Sequence, residues 1–135
     1  MNRIVRLPTP QKVLLAEDDA ASADAYRFGL ERAGFIVIVA RTDAEAVEIA
    51  KERRDLDVVV LDLASPPTGG LKALAGIQQS GFADETPVIF VSNRIQDFRT
   101  AVLVGASKCM TKSGMTPAQL VSWVRAIGPD YARGA

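Results

Sequence analysis

The sequence predicts an α/β domain: a doubly wound, five-stranded parallel sheet of order 2-1-3-4-5, with helices on both faces in a three-layer sandwich. Three observations predict it. Short apolar runs alternate with longer segments of helical periodicity, the pattern of strands joined by crossover helices. The run Val58 to Leu61 is continuously apolar, as expected of a strand covered on both sides. Polar groups stand at the downstream ends of these runs, where open α/β sheets bind ligands. Glu17-Asp18-Asp19 follow the first run, Asp62 the third, Ser92 the fourth, and Thr111-Lys112 the last.

Pro8 and Pro10 punctuate an N-terminal arm, 1–10, ahead of a first strand near Lys12 to Ala16. Asp18 or Asp19 is placed to cap a helix running to Arg32-Ala33, with Ala23, Tyr26, Leu30 and Ala33 at helical spacing. Gly34 ends that helix, since φ > 0 is open to glycine. Phe35 to Val39 is a β-branched second strand. Thr42 with Glu45 three residues on reads as a capping box opening a second helix, whose apolar stripe is Ala46, Ile49 and Ala50. After the third strand, Ala64 to Gly70 is a Pro/Gly-rich loop, and a helix runs from Leu71 to Gln79. Gly81 to Thr86 leads to the fourth strand, Val88 to Val91. Ile95, Phe98, Ala101 and Val102 mark a helix ending at Gly105, and a short strand lies at Ser107 to Thr111. Pro117 sits in the first turn of a last helix, where its missing N–H costs nothing, with Leu120, Val121, Val124 and Ile127 as core face. The domain is thus 11–128, and 129–135 is a tail.

With 135 residues the chain suits one domain with a real core. Lys+Arg and Asp+Glu are both 16, so no global basic excess points to nucleic acid or to an anionic membrane. Histidine is absent, which removes His metal sites, His-based triads and a phosphohistidine within this chain. A single cysteine, Cys109, forms no intrachain disulfide and suits a reducing cytoplasm. No apolar stretch approaches the roughly 20 residues of a membrane span, and the start lacks the apolar core of a signal peptide. A cytoplasmic protein is expected.

In the order 2-1-3-4-5 the ends of the first and third strands are adjacent. Asp18 and Asp62 there suit a shared Mg²⁺, a hard ion taking oxygen ligands, with Glu17 assisting. Asp19 reads as a helix cap only. A carboxylate beside Mg²⁺ is a candidate nucleophile toward a phosphoryl group. Ser92 and Lys112, at the ends of the fourth and fifth strands, are placed to contact phosphoryl oxygens.

From Lys12 to Ile127 the chain resembles the receiver domain of two-component response regulators. The residues that carry the resemblance are Glu17-Asp18, Asp62 after Asp57 to Leu61, Pro66 and Gly70 four and eight residues beyond, Pro87 to Ser92, and Gly105-Ala106-Ser107 followed by Lys112. The resemblance implies a flavodoxin-like (βα)₅ fold and phosphoryl transfer to Asp62 from a sensor histidine kinase or phosphotransfer protein. It implies Mg²⁺ held by Asp18, Asp62 and the Ala64 carbonyl, with help from Glu17, and phosphoryl contacts from Ser92 and Lys112. It also implies a switch surface, or a homodimer contact, around the fourth helix and fifth strand.

Three positions depart from the family pattern. Cys109 stands where an aromatic switch residue is usual, and reads as an inert core thiol. Asn93 replaces a very small residue, and Ser113 a proline. These departures motivate a second reading, an interaction module that signals without phosphate. A phosphatase is disfavoured because Ala64 occupies the place of a second acid two residues after Asp62. The outer side of the fourth helix, Arg94, Gln96, Arg99, Thr100 and Leu103, is expected to face partners, and Trp123 is expected to be partly packed.

Overall fold

The computed structural model describes residues 10–65, 69–80 and 86–128. The expected arm up to residue 9, the tail 129–135, Pro66 and the lead-in 81–85 lie outside the described residues. Five strands, β1 (Lys12–Glu17), β2 (Ile36–Ala40), β3 (Val58–Asp62), β4 (Val88–Val91) and β5 (Lys108–Met110), form one parallel sheet. Its order is β2-β1-β3-β4-β5, as the sequence predicts. The helices are α1 (Ala20–Arg32), α2 (Asp43–Glu52), α3 (Leu71–Gln79), α4 (Phe98–Val104) and α5 (Pro117–Ile127).

Side chains alternate across a strand, and here both faces are covered. Leu14 and Ala16, Val59 and Leu61, and Val88 and Phe90 enter one core with Ala46, Ala50, Leu74 and Ala101 of α2, α3 and α4. Val13 and Leu15, Val58 and Val60, and Ile89 and Val91 enter the other, with Tyr26 and Leu30 of α1 and Leu120 and Val124 of α5. Glu17 and Asp62 continue the second set of rows by the same period of two. The apolar core thus delivers two acids to one face of the sheet at its downstream edge.

Local chemistry fixes the helix ends. Asp19 Oδ2 accepts from Ser22 N–H at 2.9 Å, so Asp19 is the cap of α1. Thr42 Oγ1 accepts from Glu45 N–H, but the capping box is only half formed, because Glu45 Oε1 takes Arg41 N–H instead. The full box stands at α5, where Thr116 and Gln119 bond reciprocally ahead of Pro117. Gly70 precedes α3 with φ +89°, and a Cβ there would crowd Leu63 O and the Phe90 ring.

Two expectations on the fourth helix are corrected. Its first turn is a 3₁₀ helix, Ile95–Asp97, and only Phe98–Val104 is α-helical. Ile95 and Val102 are 64% and 57% exposed, so the buried stripe there is Ala101 with half-buried Phe98 and Val104. The 3₁₀ turn changes the angular step between residues, which breaks the extrapolation from Ile95. β2 also begins one residue later than predicted, leaving Phe35 in the core and Ile36 exposed.

Candidate functional site

The last rung of the β1–β3 ladder pairs Glu17 with Asp62. Both side chains are buried, at 0% and 1% exposure. Lys112, two residues past β5, sends its ammonium between them, 2.7 Å from Glu17 Oε1 and 3.1 Å from Asp62 Oδ1. The other oxygens, Glu17 Oε2 and Asp62 Oδ2, are buried and have no hydrogen-bond partner. Two ionised carboxylates and one ammonium would leave one net negative charge in a dry site, which is costly. Burial, then the neighbouring Asp62, raises the Glu17 carboxyl to about 8, which favours its neutral form. Burial raises Asp62 as well, against the nearby Glu17 carboxyl and the charge of Lys112. Burial works against the Lys112 charge too, yet its contacts with Glu17 and Asp62 hold it above the ordinary lysine range.

Asp18 follows β1 and leans over the β3–α3 loop. Its Oδ2 accepts from Ala64 N–H at 3.0 Å, Ser65 N–H at 2.8 Å and the Ser65 hydroxyl at 2.5 Å. Burial opposes its charge, but these bonds outweigh it and hold the Asp18 carboxyl below the usual range. Arg41, directly after β2, donates from Nε to Glu17 O at 2.9 Å and from Nη2 to Asp18 O at 3.0 Å. The acid loop is therefore gripped through its backbone by a guanidinium fork.

An oxygen-only donor set with two buried, unpartnered carboxylate oxygens suits a hard divalent cation in kind. Among the described residues, however, no three acids converge on one point as they stand. The bonds from Ala64 and Ser65 draw Asp18 toward the loop.

Above Asp62 lies a cleft of about 120 Å³, walled by Ser92, Asn93 and Lys112 among others. Ser92 Oγ accepts from Arg94 N–H at 2.9 Å, which leaves its hydroxyl hydrogen free to donate. Asn93 Oδ1 accepts from Ser113 N–H at 2.7 Å, so the two departures from the family pattern bond to each other. Cys109 is half-buried beside Phe98 O, and burial pushes its thiol up, as suits an unreactive group. Trp123 is 37% exposed, with the Lys108 ammonium 3.8 Å from its ring centre.

Glu17, Asp62, Ser92 and Lys112 thus come together as the strand order requires, and Asp18 stands beside them, turned to the loop. The sequence reading missed Arg41 and the role of Ser65. The signal for Arg41 was its place at the end of β2, beside the end of β1.

A family model described as response regulator receiver domain matches residues 13–125. The transcriptional regulatory protein TrcR of Mycobacterium tuberculosis is 35% identical over 107 residues, covering 77% of this chain and 40% of that protein. The response regulator protein PmrA of Pseudomonas aeruginosa is 31% identical over 101 residues, covering 75% and 45%. This chain spans less than half the length of either relative. The receiver domain of the Francisella response regulator 1452 superposes with a TM-score of 0.77 at 25% identity, covering 93% of this chain and 99% of that one. The receiver domain of sensor histidine kinase PA1611 from Pseudomonas aeruginosa, which has magnesium coordinated in its active site cleft, superposes with a TM-score of 0.76. It is 21% identical, covers 88% and 98%, and speaks to the fold alone. Among the described residues no helix is long and apolar enough to cross a membrane.

Proposed function

This chain belongs to the response regulator receiver family, and from that premise we propose that Asp62 accepts a phosphoryl group from the phosphohistidine of a sensor histidine kinase or phosphotransfer protein. The observation that carries the reading is Asp62 itself. It is a buried carboxyl under a small cleft, with Oδ1 against the Lys112 ammonium and Oδ2 without a partner.

Asp62 Oδ2 attacks phosphorus, the new P–O bond forms, and the P–N bond to the donor imidazole breaks. The leaving nitrogen keeps the bonding pair and departs as neutral imidazole when the donor's other ring nitrogen carries a proton, so this chain supplies none. The reaction asks mainly for positioning and charge neutralisation. Lys112 is already at Asp62 and needs only a short shift to meet a phosphoryl oxygen, and the free hydroxyl hydrogen of Ser92 donates to another. Mg²⁺, held by Glu17, Asp18, Asp62 and the Ala64 carbonyl, would supply further neutralisation of the phosphoryl charge.

The chain acts as a phosphoacceptor rather than an enzyme, with at most slow self-dephosphorylation, because Ala64 offers no acid or base two residues after Asp62. Drawing Lys112 and Ser92 toward the phosphate biases the β4–α4 and β5–α5 loops, and so a partner surface on α4 and β5. The exposure of Ile95, Val102 and Leu103 supports that surface as a contact for an output partner or a second copy. The setting would be the cytoplasm.

The test is intact-mass spectrometry after incubation with phosphoramidate and Mg²⁺. One phosphoryl group is expected on the wild type and none on Asp62→Asn. Labelling that persists in the variant removes Asp62 from the role.

A further inference from the structure

We propose that Asn93 is a positioning residue for Lys112, acting through its hydrogen bond to the Ser113 backbone across the two loops that flank the cleft. The inference rests on the reading of Asp62 as phosphoacceptor. Lysine is a point charge on a flexible stem, so the seat of its backbone decides where the ammonium spends its time. Three bonds fix that seat. Lys112 N–H donates to Ser92 O at 3.3 Å, Lys112 O accepts from Met115 N–H at 3.0 Å, and Ser113 N–H donates to Asn93 Oδ1 at 2.7 Å.

The Asn93 bond is the shortest of the three and the only one that a side chain supplies. The first is at the long end for an N–H···O bond, and the Met115 bond only closes a local turn past Gly114, whose φ is +80°. Without Asn93, the hydrogen bonds that still tie the β5–α5 loop to the β4–α4 loop among the described residues are that long bond and the strand ladder behind it. The anchor end is firm: Ser92 N–H donates to Met110 O at 3.0 Å, and Arg94 N–H to Ser92 Oγ at 2.9 Å. Ser113 is exposed, so water would satisfy its N–H if the bond were lost. The bond is thus not required to satisfy a buried group, and its consequence is where Lys112 stands.

The rival account makes Asn93 mere bulk at the mouth of the cleft. The two accounts differ in sign. As bulk, Asn93→Ala speeds phosphorylation and lowers the KM for the donor, while Asn93→Leu, of similar size, changes little. As a positioning residue, both variants lose the acceptor and both slow the reaction at saturating donor.

The experiment measures phosphorylation of the full chain by phosphoramidate with Mg²⁺ in Asn93→Ala, Asn93→Leu, Ser113→Pro and Asn93→Leu/Ser113→Pro. The expected loss is about 3- to 10-fold in the saturating rate, the range one ordinary hydrogen bond commands, with KM nearly unchanged. The double variant should be no slower than the slower single, because both remove the same bond. A faster Asn93→Ala, an unaffected Asn93→Leu, or additive losses in the double variant would overturn the proposal. A second readout needs no phosphate: the Ser113 amide should be protected from hydrogen exchange in the wild type and lose protection in Asn93→Leu, with a shift in the Lys112 Cε resonance. An unprotected Ser113 amide, or an unmoved Cε, overturns it equally. If the wild type takes no phosphoryl group, the reading of Asp62 fails, and these two signals alone decide the role of Asn93.

Discussion

The Lys112 ammonium stands closer to Glu17, at 2.7 Å, than to Asp62, at 3.1 Å. It therefore serves two buried acids at once and cannot neutralise both. Burial raises the Glu17 carboxyl and so favours the neutral form that would relieve the excess.

That arrangement sets a pH dependence of stability. Folded Glu17 keeps its proton to about 8, against a usual 4.5, so the folded state binds more protons than the unfolded one between those values. Stability is then fully present below about pH 4.5 and falls as pH rises through 8. No histidine contributes in that window, and the Asp62 carboxyl, also raised by burial, acts in the same direction. Urea denaturation across it should show the decline, and Glu17→Gln should flatten it. A wild-type profile as flat as that of the variant would refute the assignment.

Lys112→Met should leave the acids without their cation. A loss of about 2 kcal/mol is expected at pH 8, below the usual cost of breaking a buried pair, because the site can take up a proton and Lys112 is partly exposed. At pH 6 the loss should shrink as Glu17 protonates. Denaturation at the two pH values checks this, and equal losses would count against it.

Arg41→Met removes the fork that holds the carbonyls of Glu17 and Asp18. A loss of about 1 kcal/mol is expected for two partly exposed bonds. Arg41→Lys should not restore it, since one ammonium lacks the planar pair of donors. Recovery of full stability in the lysine variant would show that charge alone matters there.

Gly76→Ala tests the α2–α3 contact. A Cβ at Gly76 would stand 2.7 Å from Val47 Cγ2. Overpacking costs about 1–3 kcal/mol, against a gain of about 1 kcal/mol in helix propensity, so net destabilisation is expected. In a Val47→Ala background the sign should reverse, as read from thermal unfolding.

The strand order and the convergence of Glu17, Asp62, Ser92 and Lys112 were legible because both follow from period and connectivity. Each apolar run has a defined downstream end, and crossover helices force those ends to one edge. The misses have a different character. The exposure of Ile95 depends on one 3₁₀ turn, which periodicity does not encode. The Arg41 grip and the Asp18 bonds to Ala64 and Ser65 depend on loop paths between elements, and so does the choice of Glu45 to bond Arg41 rather than Thr42. The Asn93–Ser113 bond joins positions 20 apart in the chain, which the sequence presents only as separate departures.

The pairing of Glu17 with Asp62 on the terminal rung of the β1–β3 ladder has one more consequence. Fraying of that rung would admit water to both acids and lower the affinity of Glu17 for its proton, so opening of the sheet edge and ionisation of the site are linked. The proton occupancy of Glu17 is then a gauge of how tightly the chain is zipped at that point. Any ligand that prefers the ionised acids must also work against, or replace, the closure that the proton provides.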